Sequence, residues 1–118
     1  MIPRETYLTA GRLLARQILA APDQHIYVRH CARKMATRTV PLSQDAHHRV
    51  MEQVKKYVTD TGYSHPLTWA SYLFYLASEE AIPQTPMIIR GDIDAIADIC
   101  DRYNVDSAPA VAALRLTL

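Results

Sequence analysis

Arg29 and Arg33, and Lys34 and Arg38, are each four residues apart, the interval that puts side chains on one side of a helix. No Asp or Glu occurs from Gln24 to Gln44, so nothing nearby in the chain neutralises them. An unneutralised positive stripe suits an anionic partner. That partner is either the phosphate backbone of a nucleic acid or the carboxylates of an acidic protein surface. The bland alternative is a stripe that is simply solvated, or paired within the fold. Nucleic-acid modules usually carry more than four such groups and a larger excess than the net +1 of this chain. A protein partner is therefore the expectation, with nucleic acid as the alternative and Arg29, Arg33, Lys34 and Arg38 as the binding residues.

The other chemistry-bearing residues are histidines and cysteines: His30-Cys31, His47-His48 with Glu52 one turn on, and His65. A zinc site needs three or four converging ligands. Adjacent histidines on a helix point about 100° apart, so His47 and His48 are poorly placed to share one ion. His47 falls on an apolar stripe and reads as a hydrogen-bonded core group. Cys31 and Cys100 are far apart in a chain that begins without the pattern of an export signal, so free thiols are expected rather than a disulfide. There is no Ser/His/Asp signature and no phosphate-binding loop, and three glycines are few for a nucleotide-binding loop. No metal, cofactor, catalytic residue or small-molecule substrate is expected.

The elements that must position these groups are helices. Pro66–Ala77 (PLTWASYLFYLA) holds the only Trp and the only Phe, and it has two polar side chains besides the tyrosine hydroxyls, Thr68 and Ser71. A helix apolar on nearly every face belongs in a core. It is shorter than the roughly 20 apolar residues of a membrane span. It is read as the central helix, about 65–80, with Ser64 as N-cap, Pro66 in the first turn, Pro83 as the stop, and Trp69, Leu73 and Leu76 almost fully buried. Glu79 and Glu80 at its negative end are out of place with respect to the helix dipole, which suggests that they meet a basic surface elsewhere.

Pro3–Ala20 has an apolar stripe of Tyr7, Leu8, Gly11, Leu14, Ala15, Ile18 and Leu19, with Glu5, Thr9, Arg12 and Arg16 opposite. Gly11 within that stripe allows a close helix approach. His25–Thr39 is ambiguous. As a helix capped by Asp23 it segregates Tyr27, Val28, Cys31 and Met35 from the cations. As a strand, His25–Val28 has suitable residue types but no partner. Helix is the favoured reading. Ser43–Asp60 is a helix with Ser43 as N-cap, a Glu52–Lys56 i,i+4 pair and Gly62 as its stop, and it forms an antiparallel hairpin with the central helix. Met87-Ile88-Ile89 is a short apolar run suited to an extended segment. Asp92 caps a helix running to Asn104, and Ala108–Leu116 is a last short helix.

Ile93–Arg115 resembles a helix-turn-helix. Its second helix, however, carries no Arg, Lys, Asn or Gln between Ser107 and Ala113 to read base edges, and Asp98, Asp101 and Asp106 would face a polyanion. It reads as a structural helical hairpin.

These elements, with 49% hydrophobic and 21% charged residues over 118 positions, define one all-α domain, 1–118, of five or six helices. Its charge is split. Met1–Tyr63 carries ten Lys and Arg against five Asp and Glu, and Ser64–Leu118 carries three against seven. Such a split implies that the halves attract each other or face different partners. The expected function is that of a small non-catalytic adaptor or regulator in the cytoplasm, binding a protein partner or itself. Small-residue faces at Gly11 and Ala108–Ala113 suit close packing of two copies.

Overall fold

The structure, a computed structural model, describes residues 2–57, 65–81 and 90–117. Six α-helices follow in chain order: α1 Arg4–Ala20, α2 Ile26–Ala36, α3 Gln44–Tyr57, α4 Pro66–Leu76, α5 Arg90–Arg102 and α6 Ala108–Arg115. The ambiguous 25–39 stretch is thus helical, and no strand occurs among the described residues. One contiguous core draws side chains from all six helices. Helix α4 touches α1, α2, α3 and α5, and α1 also packs against α2 and α6, so the α1–α4 pair is the axis of the domain.

That pair depends on Gly11. A Cβ built there would lie 2.9 Å from Cε2 of Phe74, closer than packed carbon atoms come. Phe74 is fully buried and sits where the glycine lacks a side chain. Replacing Gly11 with Ala is expected to force the ring aside and to destabilise the fold by about 1–3 kcal/mol, despite the better helix propensity of Ala. Thermal or urea unfolding checks this. Gly11 is therefore occupied within the chain, and its small face is not available to a second copy. The small residues of α6 are partly used in the same way: Ala110 is buried, and α6 packs on α1.

Several helix ends depart from the sequence expectations. Helix α4 starts one residue after His65, whose Nδ1 accepts a hydrogen bond from Leu67 N (2.9 Å), while Thr68 Oγ1 accepts one from His65 N (3.3 Å). His65 takes the cap assigned to Ser64. The helix stops at Leu76, well before Pro83, and gives way to a turn in which Ser78 N donates to Tyr75 O. Ser64, Pro83, Gly62 and Met87-Ile88-Ile89 lie outside the described residues. Likewise His25, not Asp23, caps α2: its Nδ1 accepts from Tyr27 N (3.0 Å), and Asp23 adopts a left-handed φ of 58° in the preceding bend. Asp92 sits inside the first turn of α5 rather than at its cap.

Other ends are as read. Ser43 Oγ accepts from Ala46 N at the start of α3. Asn104 ends α5 in the left-handed region (φ 56°), with Val105 N bonded to Cys100 O and Asn104 N bonded to Asp101 O. This is the double C-terminal closure that a left-handed residue permits. Helices α5 and α6 form the helical hairpin expected of 93–115.

Of the three side chains expected in the core, Leu73 and Leu76 are buried and Trp69 is only half-buried. Trp69 and the half-buried Tyr72 lie one turn apart on α4 and pack edge to face, centroids 5.8 Å apart. Both rings carry a polar group, and the helix turns this side outward because burial of that group without a partner is costly.

Candidate binding surface

Helices α2 and α3 both pack on α4 and face each other across a groove. The start of α2 meets the end of α3 where Tyr27 and Tyr57 stack with centroids 5.3 Å apart, and His25 also stacks on Tyr57 at 4.9 Å. The opposite ends are joined by residues 37–43. That connection is clamped by two arginines. Arg38 donates from Nε to Val40 O and from Nη2 to Pro41 O, both at 2.8 Å, and Arg12 of α1 donates from Nη1 to Arg38 O at 3.0 Å. Leu42 N bonds to Phe74 O and fixes the connection to α4.

Between the ring stack and this connection the helices stand apart. A half-open groove of about 190 Å³ remains, lined by Cys31, Met35, Leu42, Ala46 and Val50 and rimmed by Lys34, Arg38 and Arg49. Its floor is thus apolar and its rim cationic.

The four sequence-assigned cations fall into two groups. Arg33 and Lys34 are exposed on α2, and Arg29 is half-buried on the same helix. None of the three reaches a carboxylate among the described residues. Arg38 is different: its guanidinium is committed to the 38–41 turn, and burial presses its pKa downward. It is a positioning residue whose charge remains at the groove rim. Arg49 was not assigned from sequence. It is exposed on α3 and joins Lys34 and Arg38 only because the fold sets α3 across the groove from α2.

The acidic second half does not neutralise this face through Glu79 or Glu80. Glu79 meets Arg4 at 3.4 Å, a pair exposed on both sides and worth little. Glu80 Oε2 accepts a hydrogen bond from Gln44 N at 2.8 Å and places a carboxylate at the positive end of α3. Two anions at the wrong end of α4 are thereby explained as ties to α1 and α3. The expected Glu52–Lys56 pair does not close; the Lys56 ammonium lies instead 5.6 Å from the Tyr57 ring centroid.

Two of the histidines, His47 and His65, are buried and hold the fold together. His47 is buried on α3, and its Nδ1 lies 2.7 Å from the Ser71 hydroxyl of α4. Burial, with His48 adjacent, pushes its pKa down to about 4. His65 is 1% exposed, packs edge-on to Tyr103, and is pushed down to about 4 by burial. Neither is placed with two further ligand-type side chains among the described residues. Cys31 and Cys100 are free thiols. Cys31 is half-buried in the groove beside the Tyr27 hydroxyl, whose pKa is raised by burial and by the thiol. Cys100 is fully buried, and burial, with Asp101 and Asp106 nearby, pushes it up to about 12.

No known protein family, no curated protein and no solved structure matches the chain. What the geometry defines, among the described residues, is an all-α domain of six helices with a cationic, apolar-floored groove between α2 and α3. No described helix is long and apolar enough to cross a membrane.

Proposed function

We propose that this protein is a non-catalytic interaction module, an adaptor or regulator, that engages an acidic protein partner through the cationic face of α2 and α3. One observation carries the reading: Arg29, Arg33, Lys34 and Arg49 meet no carboxylate of the described residues, whereas Glu79 and Glu80, the acids best placed by sequence to meet them, are spent on α1 and α3. Surface cations left unpaired beside apolar surface steer and hold an anionic partner. Nucleic acid is the weaker reading, because a phosphate backbone offers nothing to the apolar side chains between the two rows of charge.

The double variant Arg33→Glu with Lys34→Glu separates a binding face from a scaffold. Both side chains are exposed and unpaired among the described residues, so the melting temperature is expected to stay within about 2–4 °C of wild type. Capture of a partner from source lysate, with nuclease present, is expected to drop sharply in the variant and to weaken with salt in the wild type. A variant that unfolds, or that captures the same partner equally well, contradicts the reading. Capture abolished by nuclease moves the assignment to nucleic acid.

A further inference from the structure

The groove between α2 and α3 has features that a plain charged surface lacks. Its floor consists of Cys31, Met35, Leu42, Ala46 and Val50, and cations stand on both sides: Lys34 and Arg38 on the α2 side, Arg49 on α3. Arg38 and Leu42 carry the lining into the 38–41 turn at one end. The turn is held by hydrogen bonds from Arg12 and Arg38, so this end of the groove is pre-organised and needs little ordering on binding.

Size narrows the occupant. Small-molecule pockets usually span about 300–1,000 Å³. The groove, at about 190 Å³, is smaller. A cavity of about 150 Å³ accommodates one benzene ring, so this one holds a single large apolar side chain. Charge then sets what surrounds that side chain, because cations on both walls are matched by carboxylates on both flanks of the anchor.

Resting on the reading of the α2–α3 face as a protein-binding surface, we propose that this groove is the anchor site. It takes one Leu-, Met- or Phe-sized side chain of a partner segment whose neighbouring residues are Asp or Glu. The apolar anchor supplies burial at the centre of the contact, and the rim charges select the sequence around it. Neutral or basic segments with the same anchor would leave Lys34, Arg38 and Arg49 facing apolar or like-charged groups, and are rejected.

A displayed library of random dodecapeptides, selected on the intact protein, tests this. The enriched sequences are expected to share one large apolar residue flanked by Asp or Glu. Their affinity is expected to fall about tenfold or more in Lys34→Glu with Arg49→Glu, and in Ala46→Phe, which fills the groove, and to be unchanged in Arg16→Glu on α1. Arg38 is left intact because it holds the 38–41 turn. Should Ala46→Phe not fold, Cys31 provides a second readout in the wild-type protein. It is half-buried in the groove, whereas Cys100 is sealed in the core with its thiol pushed up to about 12. Bound peptide is expected to slow alkylation of Cys31 about fivefold or more, consistent with an occupied apolar site.

Each contrary result has its own meaning. Acidic peptides without a shared anchor, lost on charge reversal but indifferent to groove filling and to Cys31 protection, overturn the anchor site and leave the cationic face standing. Peptides indifferent to both changes overturn both. No enrichment overturns the anchor site. Protection of Cys31 by dodecanoate where no peptide protects it assigns the groove to an acyl carboxylate and overturns the proposal.

Discussion

Truncating Phe74 to Ala is expected to destabilise the protein by about 3–5 kcal/mol. This is the largest single-residue effect the fold implies. The ring is fully buried, lies on Gly11 of α1, and belongs to the helix that touches four others. Its removal leaves a cavity at the α1–α4 contact, which the surrounding helices can only partly close. Against a usual domain stability of about 5–15 kcal/mol, such a loss is a large fraction of the whole. Urea denaturation gives the number, and a double-mutant cycle gives the cause. Gly11→Ala should cost markedly less in a Phe74→Leu background, because the smaller side chain gives way to the new methyl group. Equal costs in both backgrounds would mean that the glycine does not set the α1–α4 distance.

The second large effect is loss of stability in mild acid. His47 and His65 are held neutral in the fold with pKa values of about 4, against an ordinary value of 6.5. Between those values the unfolded chain binds more protons than the folded one, so stability rises with pH across the window. Their contribution is fully present above about pH 6.5, is lost as pH falls toward 4, and falls no further below it. Each shift corresponds to roughly 3 kcal/mol. The geometry gives a reason for His65 beyond burial. Its Nδ1 accepts the Leu67 N–H that caps α4, and a proton there would set a donor against a donor. Unfolding free energy measured from pH 7.5 to 4 should therefore decline steeply below 6.5. His65→Asn, which can still accept at the cap but does not titrate, should make that decline shallower. A flat profile to pH 5 would contradict the assignment.

Much of the scaffold was legible because its signals are local. The stripe of Tyr7, Leu8, Gly11, Leu14 and Ile18 defines α1, Ser43 marks the start of α3, and Asn104 marks the end of α5. The histidine caps were not legible, since His25 and His65 cap through ring nitrogens and the sequence offered Asp23 and Ser64 as better-known alternatives. The half-exposed side of α4 was hidden for another reason. Composition marks the helix as apolar all round, and only the packing shows which line of residues faces outward. The candidate surface was half legible. Four cations without a nearby acid stood out in one stretch. The role of Arg38 in bracing a turn and the arrival of Arg49 from α3 depend on contacts between separate helices, and no spacing within α2 encodes them.

On the proposal made above, this protein meets its partner at the α2–α3 face. Amide chemical-shift mapping of the isotope-labelled protein tests it most directly, using a peptide enriched in the selection above. Shifts are expected to concentrate at residues 29–38 and 42–50, around the groove, with α5 and α6 unchanged. Shifts concentrated instead on the acidic residues of α5, Asp94, Asp98 and Asp101, with the groove silent, would contradict it.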